Sequence, residues 1–285
     1  MEIERGELRC SHCGRQYPVI RSIPRFVPSD SYVRSFSLEW NMFGRTQLDS
    51  ESHSDSRDTF VEKTGTRLQD LSGKMILEAG CGMGRFLDVV SKQPGTKVVG
   101  FDLSLSVESA YRNVGNRPNV HIVQADVMKP PFAPSSFDMV YSIGVLHHTS
   151  KPREAFHSLV PLLKERGEIA IWVYPKYHWS TFSDLYRHVT ARMPSNMTLG
   201  ICKAMLVAHS FDGKAPRRLR GRLQTILPIS KEKHYEKRLL DTFDWYSPRY
   251  QFKFAPDEVL KWFREAGLIN IQMLPFQVSL KGIRK

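Results

Sequence analysis

Met75-Ile-Leu-Glu-Ala-Gly-Cys-Gly-Met-Gly-Arg-Phe86 is a short apolar run, then three alternate glycines, then the start of an apolar-periodic segment. The order reads as strand, tight turn and helix. Gly80, Gly82 and Gly84 suit that turn because the backbone must bend sharply and admit a ligand, with no Cβ in the way. The helix that follows offers free N–H groups to a polar ligand. A second apolar run, Lys97-Val-Val-Gly-Phe101, ends at Asp102. An acid about twenty residues past the glycines suits the two hydroxyls of a ribose. The segment is expected to bind a nucleoside-containing cofactor.

Spacing narrows the choice. The dinucleotide fingerprint G-x-G-x-x-G needs a small third residue for helix–strand packing. Counted from Gly80, that place holds Arg85, which is large and charged, so a nicotinamide cofactor is disfavoured. A glycine turn that merely joins strand to helix is the plainer reading, and Asp102 argues against it. The string E-x-G-x-G-x-G from Glu78, with Asp102 after it, resembles motif I and its acidic partner in class I S-adenosylmethionine-dependent methyltransferases.

Further apolar runs follow. Val120 to Asp126 reads as a third strand ending in another acid, and Ser136 to Ser142 as a fourth, leading into Ile143-Gly-Val-Leu-His-His148. Glu168 to Tyr174 reads as a fifth, with helical patterns such as Arg153 to Lys164 between. Buried strands alternating with helices predict an α/β fold. We expect a Rossmann-like, doubly wound, mostly parallel seven-stranded sheet. In such sheets ligands sit beyond the carboxyl ends of the strands, where Gly80, Asp102, Asp126 and Ser142 all fall.

The stretch 75–174 resembles the methyltransferase family labelled type 11, and the rest of the chain does so weakly. The resemblance implies S-adenosyl-L-methionine as cofactor. It implies that Asp102 holds the ribose hydroxyls, with Leu103 beside it, and that Asp126 meets the adenine amino group. It further implies that Val127 presents backbone to the adenine ring and that residues after the fourth strand face the methionine part, with Glu78, Gly80, Gly82, Gly84 and Ser142 also expected to bind the cofactor. Asp126 alone also fits a surface helix cap.

Composition sets limits. The 285 residues suffice for one large domain with appendages or two small ones, and 41% hydrophobic content is ordinary for a globular protein. No apolar run approaches the roughly eighteen residues of a membrane span. MEIERGEL lacks an apolar signal core, and four cysteines without framework spacing suit a reducing compartment. A soluble, cytoplasmic protein is expected. Net charge is +12 and uneven: from Lys203 to Arg238 ten basic residues face three acidic ones, an excess of +7. Such a patch attracts phosphate, nucleic acid or an anionic surface, or is a solvated helical face.

The patch lies in an insertion. The last core helix reads as Pro256 to Gly267, with Gly267 as its stop, followed by strands near Leu268 to Leu274 and Phe276 to Gly282. Residues 175–255 between the fifth strand and that helix read as a helical lid. Its helices are expected at Trp179–Arg192, Met197–His209, Arg217–Leu227 and Lys231–Phe243, punctuated by Pro194, Gly213, Pro216 and Pro228. Insertions at this edge often cover a substrate site.

The N-terminal residues 1–30 contain Leu8-Arg-Cys-Ser-His-Cys-Gly-Arg-Gln-Tyr-Pro18, which resembles the second half of a zinc ribbon. A structural zinc needs four ligands, and Cys10 with Cys13 supplies two. Cys81, Cys202 and His12 are poor substitutes, so no metal is expected. Residues 31–72 read as a helical cap, with Tyr32, Phe36, Trp40 and Phe43 at roughly helical spacing. Tyr32, Arg34, Trp40 and Gln47 are candidates for lining the site. Ser50 to Asp58 reads as a polar, mobile stretch. The core then spans 73–174, completed by 256–285.

Methyl transfer from a sulfonium needs mainly orientation and exclusion of water. A hydroxyl acceptor also benefits from a base. His147 and His148 follow the fourth strand, where a near-neutral imidazole could take the proton, or where the pair simply packs the loop. Neighbours at a helix start point apart, so at most one should face the acceptor. Tyr174 and Tyr246 are further candidates, with Tyr32, Trp40 and Tyr174 as substrate contacts. The expected function is methylation of a small or medium biosynthetic metabolite at oxygen, the acceptor being small and anionic or amphipathic. An RNA or protein methyltransferase, or a non-catalytic cofactor-binding subunit, are the alternatives. The absence of an RNA-binding module and of an Asn/Asp-Pro-Pro-Tyr/Phe motif after Tyr141 weighs against nucleic acid.

Overall fold

The apolar runs form strands because their β-branched and aromatic residues fill both faces of a sheet. A computed structural model describes residues 4–27, 35–37, 42, 44, 48–49, 55–176, 182–211 and 224–285. The central sheet has the order β6-β5-β4-β7-β8-β10-β9. Its strands are β4 (Met75–Ala79), β5 (Lys97–Asp102), β6 (Val120–Gln124), β7 (Phe137–Ile143), β8 (Leu163–Trp172), β9 (Ile269–Met273) and β10 (Ser279–Ile283). The strands β6 to β8 run parallel, and β10 pairs antiparallel with both β8 and β9. The strand order reverses at β4, so β4 and β7 part there and open a crevice at their carboxyl ends.

Helices cover both faces: α1 (Asp55–Thr64), α2 (Arg85–Val90), α3 (Val107–Val114), α4 (Pro152–Leu159) and α8 (Pro256–Glu265). Two apolar clusters result, one on each side of the sheet. Phe156 and Phe263 anchor the first, and Phe60, Leu87 and Tyr141 the second. The insertion supplies α5 (Phe182–Thr190), α6 (Ser195–Phe211) and α7 (Tyr235–Tyr246). These close a third cluster of their own around Cys202, Leu240 and Phe243.

An N-terminal antiparallel sheet, β1 (Arg5–Arg9), β2 (Gln16–Ile20) and β3 (Ile23–Pro24), lies against the edge strand β6. The Phe26 amide donates to the Gln124 carbonyl at 2.8 Å, and Arg25 bonds the Gln124 side chain at 3.1 Å. Cys10 and Cys13 flank the β1–β2 turn, Cys13 exposed. Among the described residues no group of three or more His, Cys, Asp or Glu is placed to hold a metal, and no helix is long and apolar enough to cross a membrane.

Several boundaries differ from the sequence reading. The helix expected to reach Lys164 ends at Leu159 and tightens into one 3₁₀ turn, because Pro161 has no N–H to continue it. β8 starts at Leu163, not Glu168. Its polar residues 164–167 make an irregularity in the pairing with β7, with Arg166 at φ +60°. Residues 55–58, read as mobile, are the first turn of α1. The Asp49 carboxylate accepts the Ser56 and Arg57 amides at 2.8 and 3.1 Å and satisfies that helix start. In the lid, α7 begins at Tyr235 because Lys231 to His234 is not helical. The helix expected at Arg217–Leu227 falls mostly outside the described residues, as do Tyr32, Arg34, Trp40, Phe43 and Gln47.

The core argument has a direct check. Phe263 is fully buried and lies 4.7 Å from the Phe156 ring. Phe263→Ala should cost about 3–5 kcal/mol, the range for deleting a buried aromatic side chain. Urea denaturation should show a lower midpoint with an unchanged slope.

Candidate active site

The glycine turn is held by backbone bonds. The amides of Gly80 and Cys81 both donate to the Phe101 carbonyl, at 2.8 and 3.0 Å. Gly80 sits at φ +81°, and a Cβ there would lie 2.4 Å from the Val145 methyls. No L-residue fits without moving the β7 loop. Gly84, at φ +87°, has another duty. A Cβ there would come within 3.3 Å of the Ala110 backbone, so this glycine lets α2 and α3 pack closely.

Asp102 is tied to the same turn. Its Oδ2 accepts the Gly82 amide at 3.0 Å, and its Oδ1 accepts the Ser104 amide and hydroxyl at 2.8 and 2.7 Å. Burial pushes its carboxyl up, and these bonds pull against that. Lone pairs remain on Oδ2 for further donors. Glu78 is buried, accepts the Tyr141 hydroxyl at 2.9 Å, and is held well above the usual carboxyl range by desolvation. Asp126 accepts the Met128 amide on Oδ1 at 2.9 Å, so half of its carboxylate does cap a turn. Gln124 donates to the Leu103 carbonyl at 2.9 Å, and Ser158 to that of Val127 at 2.5 Å.

A cavity of about 310 Å³ lies beyond these strand ends. Glu78, Gly80, Gly82, Asp102, Leu103, Asp126 and Val127 line it, and so do His148 and Tyr174. The sequence reading therefore brings most of its candidates to one wall. Gly84, Ser142 and His147 do not line it. Ser142 spends its hydroxyl on the Ala79 carbonyl at 2.9 Å, binding β7 to β4. His147 is fully buried, its ring 3.9 Å from that of Tyr174 and stacked on it. Neither of its ring nitrogens has a partner among the described residues, and burial holds its pKa well below the usual value. It packs the loop as a neutral ring. Tyr246, the other fallback, is buried in the lid and donates to the Pro228 carbonyl at 2.8 Å.

His148 has defined surroundings. Its Nδ1 lies 2.8 Å from the Tyr250 carbonyl. A carbonyl only accepts, so Nδ1 carries the proton and Nε2 keeps a lone pair. Burial lowers the His148 pKa, while Asp244 and the Tyr250 carbonyl raise it. Phe36 meets the ring edge-on at 5.1 Å. From the lid, Asp241 and Asp244 face the same cavity, and from the core Lys63, Arg85 and Trp172 do. These five were missed by sequence reasoning as functional candidates. Lys63, Asp241 and Asp244 sit in helices rich in charged residues, where one more charge reads as solvated. Only folding turns them inward.

Lys63 shows this plainly. Its Nζ lies 3.3 Å from the centre of the Trp172 ring and 5.0 Å from that of Phe276. Burial first, then Arg85, pull its pKa from the usual 10.5 to about 7.

Residues 77–171 match the family model described as a methyltransferase domain. The 24-methylenesterol C-methyltransferase 2 of Oryza sativa subsp. japonica is 27% identical over 174 residues, 58% of this chain and 46% of that protein. The malonyl-(acyl-carrier protein) O-methyltransferase of Legionella pneumophila is 35% identical over 105 residues, 35% of this chain and 37% of that protein. The chain thus spans less than half the length of these curated relatives. Among solved structures, a phosphoethanolamine N-methyltransferase 2 of Haemonchus contortus shares the fold. Its TM-score is 0.50 at 17% identity, over 90% of this chain and 48% of that one. Fold and family match support an S-adenosylmethionine-dependent methyltransferase domain over residues 77–171, with S-adenosylmethionine as the cofactor it would take.

The buried lysine predicts a pH signature. A folded-state pKa near 7 against the usual 10.5 means the unfolded chain binds more protons between these values. Stability contributed by this group therefore rises with pH across that window. Lys63→Met should melt higher than wild type near pH 7, by about 1–2 °C for each kcal/mol relieved. The gap should close towards about pH 10. Differential scanning fluorimetry across the range checks both.

Proposed function

We propose that the protein methylates an oxygen atom of a small or medium biosynthetic metabolite, with His148 as the base. The observation that carries this reading is the His148 ring on the cavity wall, its Nδ1–H given to Tyr250 and its Nε2 left to accept. The relatives' names include an oxygen and a carbon methyltransferase, so the base is what favours oxygen.

The residues fit the cofactor. A Cβ at Gly80 has no room, Asp102 offers its Oδ2 to ribose hydroxyls, and Asp126 with the Val127 backbone stands where adenine is expected. Lys63 and Arg85 bring positive charge to the wall for a methionyl carboxylate. When bound, S-adenosylmethionine supplies an electrophilic methyl group on sulfur and is released as S-adenosylhomocysteine. His148 Nε2 would take the acceptor's hydroxyl proton and leave the oxygen pair free for the methyl group that the cofactor would supply. The lid helices and the walls of Trp172, Tyr174 and Phe36 keep water from that step. An anionic or amphipathic acceptor would be attracted by the chain's net charge of +12 and not by the carboxylates Asp241 and Asp244. Raised salt should then raise its KM.

Asp102→Ala should weaken S-adenosylhomocysteine binding by about 1.5–3 kcal/mol, the scale for losing a charged hydrogen-bonding partner. Titration calorimetry measures it. A panel of sugars, phenols and hydroxy acids, scored by S-adenosylhomocysteine release, tests the acceptor class. For any acceptor found, His148→Ala should lower kcat about 10²- to 10⁴-fold and leave cofactor affinity unchanged. Wild-type kcat in that variant, or turnover confined to amines or RNA, would remove the oxygen reading.

A further inference from the structure

The carboxylate nearest the free nitrogen of His148 comes from the lid, not from the core. Asp244 lies on α7. Its Oδ1 is 4.0 Å from His148 Nε2, and its Oδ2 accepts the Tyr174 hydroxyl at 2.6 Å. The three side chains come from three places: the loop after β7, the end of β8, and the lid. All three line the cavity. His148 is 7% exposed and Asp244 18% exposed, so water screens the pair weakly. The separation is too long for a hydrogen bond to a neutral ring, and a neutral Nε2 has no proton to give. Once Nε2 is protonated, a cation stands 4.0 Å from a carboxylate already aimed by Tyr174.

We propose that Asp244 is a positioning residue, which receives the charge formed on His148 and so makes the base dependent on the docked lid. The inference rests on the reading of His148 as the base. The lid is tied to this spot by more than Asp244. The chain after α7 donates the Phe252 amide to the His147 carbonyl and the Phe254 amide to the Tyr174 carbonyl, both at 2.9 Å. Its Tyr250 carbonyl holds the far side of His148. One segment of the insertion thus fixes the ring's tautomer, and the helix before it supplies the counter-charge.

Other charges face the ring. Arg187 on α5 acts against the imidazolium. Lys63 on α1 and Arg85 on α2 share the cavity and add positive charge. Asp241 lies about one turn before Asp244, accepts the Ser230 hydroxyl at 3.0 Å, and is raised by burial to about 6. The neutral His147 ring lies 4.1 Å from that of His148. Asp244 is the carboxylate placed at Nε2 itself.

The test needs no acceptor. The full chain with S-adenosylhomocysteine bound is titrated by NMR, following the His148 ring protons. Asp244→Asn keeps an oxygen for the Tyr174 hydroxyl, so the lid stays docked. It should lower the His148 pKa by about one unit or more, the effect of removing an opposite charge at this range. Asp244→Glu should restore most of that shift, and Asp241→Asn should move it less. An unmoved His148 pKa in Asp244→Asn, or an equal shift from Asp241→Asn, overturns the proposal. If Asp244→Asn unfolds, a lowered His148 pKa in Asp244→Glu would overturn it equally. The underlying reading is separable. Should His148→Ala keep turnover while Asp244→Asn shifts the pKa, the pairing stands and the base assignment falls. Should His148→Ala stop turnover while the pKa stays put, the base stands and Asp244 has no part.

Discussion

The join between the ends of β4 and β5 sets the rest of the site. One carbonyl, that of Phe101, takes the amides of both Gly80 and Cys81, and the next side chain, Asp102, takes that of Gly82. Three successive amides are thus committed to two successive residues of the neighbouring strand. The turn cannot relax without breaking several bonds, and Gly80 has no space for a Cβ against Val145. That fixes where α2 begins and where the cavity floor lies. It also presents the Asp102 carboxylate to the cavity with lone pairs to spare.

Opposite this rigid floor stands a wall made by a different part of the chain. The lid has its own apolar cluster, so it holds together apart from the sheet. It meets the core through polar contacts around the cavity: Lys237 with Asp55 at 3.1 Å, Tyr174 with Asp244, and the Tyr250 carbonyl with His148. An interface of that kind gives up less apolar burial on opening than a core would. A lid that opens to exchange ligands and shuts to exclude water has this character. Charge in the cavity is divided accordingly. Lys63 and Arg85 come from the core helices, and Asp241 and Asp244 from the lid.

Two histidines side by side came to opposite ends through packing alone. His147 is covered by Tyr174 and His148, and is left neutral with no hydrogen-bond partner among the described residues. His148 turns to the cavity and is oriented by a carbonyl 102 residues away in sequence. The same aromatic ring, Tyr174, packs on the first and orients the carboxylate that faces the second.

The sequence by itself determined the sheet, its glycine turn, and the acids that follow β5 and β6. Those signals are local: strand periodicity, alternate glycines, and an acid at a strand's end are written within a few residues. Helices α5 to α7 fall in the segment read as helical, though the start of α7 was not legible, since a charged run can open a helix or precede one. Tertiary structure decided which of His147 and His148 faces the cavity. It assigned Gly84 to helix packing and Ser142 to strand pairing. It also turned Lys63, Asp241 and Asp244 inward. None of these could be read beforehand, because each depends on a contact between segments far apart in the chain. A charged residue on an amphipathic helix looks the same in sequence whether it faces water or a cavity.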